Sequence, residues 1–216
     1  MLGAYAQAEL SLREAIAVAE RMGLHQVTAQ AQHNLGLVLC KLRRLDEARQ
    51  VETAAMRALD AQGNRRLSLT ARNYLAQIEI EAGNFADAIA LANEAIEMSG
   101  DMQSALSPYH ATASMACRLS GDLEGALTHA KRSIELLAEH GRPEEGDVMN
   151  RLAFAHALRA TGALDEAIRV ITEAEIELLA TAAKIQDPRW RTSYLEAVPE
   201  NAETIALARE LRAAAR

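Results

Sequence analysis

The sequence predicts an all-α fold: a right-handed α-solenoid of antiparallel helix hairpins with a C-terminal capping helix. Three observations predict it. Half of the 216 residues are hydrophobic but only 3% are aromatic. Alanine and leucine supply most of that half, a balance that favours helix over sheet. One alanine slot returns five times, at Ala8, Ala48, Ala88, Ala126 and Ala167, with spacings of 40, 40, 38 and 41 residues. A recurrence of that length marks a repeat architecture. Turn residues recur with it, at Gly3, Arg43, Gly83, Gly121 and Gly162.

The elements follow from aligning GAYAQAELSLREA (Gly3–Ala15), RRLDEARQVETAA (Arg43–Ala55), GNFADAIALANEA (Gly83–Ala95), GDLEGALTHAKRS (Gly121–Ser133) and GALDEAIRVITEA (Gly162–Ala174). Each opens on a turn between two helices, where positive φ suits glycine and falls once to Arg43. Asn84 and Asp122 stand where N-caps belong. Asp46, Glu47, Asp87, Glu124, Asp165 and Glu166 load the first turn with charge that suits the helix dipole. A large residue, Tyr5, Leu45, Phe85, Leu123 or Leu164, comes two positions after the turn and is expected to pack under the preceding helix. The alanine slot then allows close backbone approach.

Upstream of the last four turns lies a second helix, with segments NLGLVL (Asn34–Leu39), YLAQIE (Tyr74–Glu79), TASMAC (Thr112–Cys117) and AFAHAL (Ala153–Leu158). Its small slot holds Gly36, Ala76, Ser114 and Ala155. Small residues on both helices of a pair predict hairpins in close contact. We call the upstream helix of each pair the A-helix and the one after the turn the B-helix. Gly23, Gly63, Gly100 and Gly141 close the pairs. Beyond residue 187, Pro188 and Pro199 punctuate a different segment. There Ile205, Leu207, Ala208 and Leu211 mark one more amphipathic helix, the end cap that a repeat stack needs. Trp190 and Tyr194 are expected to belong to this cap and to cover the helix beginning near Leu164.

The pattern resembles the tetratricopeptide repeat, most clearly through Leu35-Gly36, Gly83, Phe85, Ala88 and Ala95, and the resemblance spans nearly the whole chain. It departs in its period, near 40 where the common form has about 34, and in lacking the usual closing proline. Such spacing looks like the long-repeat variety of kinesin light chains and bacterial multidomain regulators. The segment SYLEAVPENAETIALARE also resembles the end of repeat arrays at the C-termini of bacterial serine/threonine kinases and ATPase-linked regulators. The implied organisation is a single array over 1–216: a half repeat at 1–23, repeats at 24–63, 64–100, 101–141 and 142–187, and a cap at 188–216.

Chemistry is largely excluded. A net charge of -7 and a pI near 5.4 argue against binding nucleic acid or an anionic membrane. Cys40 and Cys117 lack the spacing of a zinc site or disulfide framework and read as buried thiols. There is no glycine-rich phosphate loop, nucleophile elbow or HExxH, so no enzyme, metal or cofactor is expected. The pairs Glu79/Glu81 and Glu144/Glu145, and the arginines Arg65, Arg66 and Arg118, read as solvated charges. No apolar run is long enough to span a membrane and no signal peptide is visible, which fits the cytoplasm.

What remains is a concave groove lined, by the resemblance, with A-helix residues: His33, Leu37 and Lys41, then Asn73, Gln77 and Glu81, then Met115 and Arg118, then His156 and Arg159. These offer hydrogen bonds to a peptide backbone and both charge signs. The ordered lysine–asparagine set by which some relatives clamp a carboxylate is absent, so chaperone tails are not the expected ligand. The expected function is a protein-interaction scaffold for a protein or peptide, the C-terminal module of a larger bacterial signalling protein. The alternative is a sensor that encloses a peptide or small effector and regulates an upstream catalytic domain. Leu2–Gly23 aligns with a B-helix that has no A-helix before it. The expectation is therefore a cut inside a longer array, with an exposed face through which two copies pair.

Overall fold

A computed structural model describes residues 2–103, 106–140 and 147–215, with backbone alone for Asp147. Among these residues there are eleven helices and no strand: α1 (Tyr5–Arg21), α2 (His25–Lys41), α3 (Leu45–Ala61), α4 (Arg65–Ala82), α5 (Phe85–Ser99), α6 (Leu106–Ser120), α7 (Leu123–His140), α8 (Asp147–Ala160), α9 (Leu164–Ala183), α10 (Pro188–Glu196) and α11 (Pro199–Ala214). The even-numbered α2, α4, α6 and α8 are the A-helices. The chain divides into two compact units, Tyr5–Ser99 and the pair of segments Met1–Ala4 and Gly100–Arg216.

The turns have one chemistry. Gly23, Gly63, Gly83, Gly121 and Gly162 adopt φ between 67° and 92°, and Arg43 takes the same left-handed conformation at 62°. At each, the turn residue's N–H bonds three residues back and the next N–H bonds five residues back, as in Gly83 to Ile80 and Asn84 to Glu79. This double bond is a Schellman motif, and it satisfies the last carbonyls of the preceding helix. Asp122 caps α7 through Gly125 N–H at 2.9 Å. The side chain of Asn84 does something else, donating to Glu79 at 2.7 Å. Asn64 caps α4, accepting from Leu67 N–H.

The alanine slot is where the helices touch. Ala48, Ala88, Ala126 and Ala167 are fully buried, and Ser114 Oγ in the A-helix small slot donates to the Ala126 carbonyl at 2.8 Å. Gly36 is small for a further reason. A Cβ there would collide with the Glu52 carboxylate and come within 2.9 Å of Glu52 Cβ. The large slot is less uniform: Tyr5 is buried, Leu45 and Phe85 half-buried, and Leu123 and Leu164 exposed.

Within Tyr5–Ser99, α2 packs between α1 and α3, and α4 between α3 and α5, while α2 also touches α4. Leu35, Leu39, Cys40, Ala48, Leu75 and Ile78 form the central cluster, with Leu12 and Ile16 of α1 against it. Within the other unit, α6, α7, α8 and α9 repeat the arrangement, and α11 packs on α8 and α9. The cap therefore occupies the place of one more A-helix, fixed by Arg212 on Glu175 at its far end. Trp190 on α10 stays 42% exposed and Tyr194 is half-buried, so α11 rather than the aromatic pair covers most of α9. Gly141, Glu144 and Glu145 lie outside the described residues.

Candidate functional site

The A-helices are buried on more than one side, and this moves several expected groove residues inward. His33, Leu37 and Asn73 are buried. His33 stacks on Tyr74 with ring centroids 4.6 Å apart, and its Nδ1 meets Glu52 Oε1 at 2.6 Å. Burial pushes the Glu52 carboxyl up to about 7, against the opposing pull of His33. These three residues are closed to a protein partner: their helices, α2 and α4, each pack between two B-helices and also touch one another. Lys41 and Gln77 are half-buried, and Glu81 is exposed and bonded by Arg43.

In the unit Gly100–Arg216 the expected residues do share one face. Met115 is half-buried against Ala111, Met149 and Ala153. Along the same A-helix side, His156 Nε2 lies 2.8 Å from Glu203 Oε1 of α11, and Arg159 makes a two-pronged bond to Glu210 of α11, with Nη1 to Oε2 at 2.9 Å. Glu203 is held below the usual carboxylate range, first by His156 and, more weakly, by Arg118. Arg118 is different. Its side chain is half-buried and its Nε is buried with no hydrogen-bond partner among the described residues. Burial lowers its pKa, with only longer-range attraction to Glu203 in opposition. The cap thus pairs with His156 and Arg159 directly and, among the described residues, leaves Arg118 without a contact carboxylate.

Other charges turn inward. Glu79, expected in water, is buried and accepts from Arg49 at 2.5 and 2.9 Å. Arg72 is buried among Asp60, Glu94 and Ser68. His110 and His129 meet Nδ1 to Nδ1 at 2.9 Å, and burial drives His110 down to about 4. One sequence signal was available: both His33–Glu52 and His110–His129 are 19 apart, the separation at which an A-helix residue faces its B-helix. Cys40 and Cys117 are buried thiols outside any disulfide. Among the described residues no group of three His, Cys, Asp or Glu is placed to hold a metal, and no helix is long and apolar enough to cross a membrane.

Comparisons with known proteins agree with this architecture. Residues 27–101 match the tetratricopeptide repeat family, and this segment is a tetratricopeptide repeat segment. The chain as a whole has the fold of tetratricopeptide-like repeat proteins. It is similar to the crystal structure of BtubC (BKLC) from P. vanneervenii, with a TM-score of 0.66 and 14% identity over 98% of this chain and 92% of that one. It is also similar to a Podosopora anserina putative kinesin light chain with nearly identical TPR-like repeats, with a TM-score of 0.56 and 15% identity over 87% and 96% of the two chains. The apo form of RapI gives a TM-score of 0.63 at 11% identity, over 97% of this chain and 59% of that one. No curated protein matches the chain significantly. The repeat scaffold, and no catalytic family, is what these comparisons indicate.

Proposed function

We propose that the chain is a cytoplasmic protein-interaction scaffold that binds a protein or peptide segment on the A-helix face of the Gly100–Arg216 unit. The observation that carries this reading is Arg118. A half-buried guanidinium that has no contact carboxylate among the described residues, beside the apolar Met115, is a place for a partner's acceptor, because charge-assisted bonds to arginine are strong and directional. The flanking His156 and Arg159 are already held by α11 and present a rigid rim. On the resemblance of its C-terminal segment, the array serves as the C-terminal module of a larger bacterial signalling protein of the serine/threonine kinase or ATPase-linked type.

A second reading, the sensor that encloses an effector, rests on Asn73, whose buried Oδ1 has no hydrogen-bond partner among the described residues. The test is affinity capture from lysate with three baits: the wild-type chain, Arg118→Glu and Asn73→Leu. Scaffold binding predicts a set of proteins retained by the wild type and Asn73→Leu and lost with Arg118→Glu. Identical capture by wild type and Arg118→Glu contradicts it. A small molecule released from the denatured wild type but not from Asn73→Leu favours the sensor.

A further inference from the structure

His110 and His129 are two departures from the repeat that meet each other. Four residues before the small slot, the A-helices carry Gln32, Arg72, His110 and Arg151. Three residues after the alanine slot, the B-helices that follow carry Val51, Leu91, His129 and Val170. Arg72 is bound by Asp60 and Glu94, and Arg151 by Glu173 and Glu177, so where the A-helix position is arginine it serves to link helices by charge. The B-helix position is otherwise aliphatic. In the α6–α7 hairpin both become histidine, and the rings come together with Nδ1 to Nδ1 at 2.9 Å and centroids 5.2 Å apart. Both helices belong to the Gly100–Arg216 unit.

Two imidazole nitrogens converging on one point form a chelate. With metal–nitrogen bonds of about 2.0 Å, nitrogens 2.9 Å apart subtend about 93° at an ion between them. That is the cis angle of a square-planar or octahedral ion, and it is narrower than a tetrahedral zinc prefers. We propose that His110 and His129 together bind one divalent transition-metal ion of tetragonal preference, Cu2+ or Ni2+, through their Nδ1 atoms. Both rings are half-buried, which leaves the ion a path from solvent. Burial drives His110 down to about 4 and lowers His129 as well, so near neutral pH neither ring carries a charge that repels a cation. In the pair without an ion, one Nδ1–H donates to the other, bare Nδ1. On binding, that proton is exchanged to Nε2 of its own ring, so both Nδ1 lone pairs face the ion and no net proton is released. Arg132, which acts on His110, is itself held by Glu135 and Glu139, and Asp122 attracts positive charge toward His129. No third His, Cys, Asp or Glu joins the pair among the described residues, so water fills the other coordination positions. The ion ties α6 to α7, whatever the A-helix face around Arg118 binds.

Isothermal titration of the tag-free full chain with Cu2+, Ni2+ and Mg2+ near neutral pH tests this. One Cu2+ or one Ni2+ should bind per chain, Cu2+ the more tightly, and Mg2+ should not bind, because it takes oxygen ligands. His110→Gln and His129→Val, the second restoring the repeat's own residue type, should each raise the dissociation constant about tenfold or more, since even an outer-shell partner is worth about 10–100-fold. His140→Gln, at the exposed end of α7, should leave it unchanged. At an ion concentration about one hundred times the dissociation constant, the thermal midpoint of the wild type should rise by about 5–10 °C and those of the two pair variants should not. Matching melts without the ion confirm that the variants fold. Electron paramagnetic resonance of the Cu2+ complex should show coupling to two imidazole nitrogens. A wild type that binds neither ion below about 1 mM overturns the proposal. Binding that survives in either pair variant places the ion on other groups and overturns it as well.

Discussion

Replacing Glu52 by glutamine should stabilise the protein, and increasingly so as the pH rises. Glu52 is fully buried, with one carboxylate oxygen held by His33 at 2.6 Å and the other, Oε2, without a hydrogen-bond partner among the described residues. Its folded pKa is about 7 against an ordinary 4.5, and the larger cause is burial. Between those values the folded chain holds a proton that the unfolded chain has released. Stability from this group is therefore fully present below about pH 4.5 and is lost as pH rises toward 7. At about 1.36 kcal/mol per unit, the loss comes to about 3 kcal/mol, most of it between about pH 5 and 7. Glutamine has the same shape, retains a hydrogen bond to His33 and does not titrate. Urea denaturation followed by far-UV circular dichroism, with wild type and Glu52→Gln compared at about pH 5, 6, 7 and 8, measures the difference directly. The variant should match wild type within about 1 kcal/mol near pH 5 and exceed it by about 2–3 kcal/mol near pH 8. A difference that stays constant with pH would refute the assignment of a costly buried carboxyl.

Further consequences concern other positions. Ala88→Leu should destabilise by about 1–3 kcal/mol by overfilling a fully buried helix contact, while Glu97→Leu on the exposed side should do little; equal urea midpoints would contradict the repeat register. His110 is held down at about 4 from an ordinary 6.5 by burial and by His129, so its contribution is present above about pH 6.5 and lost as pH falls toward 4. His110→Gln should flatten that acid limb by about 1–2 kcal/mol, allowing for partial exposure, and an unchanged limb in acid titration would count against the pair. Arg43→Gly should raise stability by about 0.5–1 kcal/mol, because a side chain at φ 62° occupies a turn that every other hairpin gives to glycine. A thermal melt showing no gain would mean that the Arg43–Glu81 pair offsets the strain.

The turns and close contacts were legible because each rests on a local requirement. A positive φ asks for glycine, a backbone approach asks for alanine, and both recur at one period. Even the exception, Arg43, was placed in the correct turn. The orientation of the A-helices was less legible, because a groove face is read by assuming that one side of each helix meets solvent. In α4 that assumption fails: Leu69, Arg72, Asn73, Leu75 and Glu79, pointing several ways, are all buried. Polar residues such as His33 and Asn73 then fall inside without any change in residue type to announce it. Glu52 left a readable trace, since it stands four residues after the alanine slot, where the following repeats carry Ala92, Ala130 and Ile171. The pairing of α11 with His156 and Arg159 depended on knowing that the cap adds an A-helix, which its prolines and amphipathic pattern do not specify.

The proposed function puts a partner on the A-helix face around Arg118. Site-specific photocrosslinking in the native host tests this, with a photoreactive residue placed at Met115 beside Arg118 or, as a control, at the exposed Glu166 in the first turn of α9. Protein adducts are expected from position 115 that disappear when Arg118→Glu is added, with none of the same adducts from position 166. The same adducts from position 166, or adducts from position 115 that survive Arg118→Glu, would contradict it.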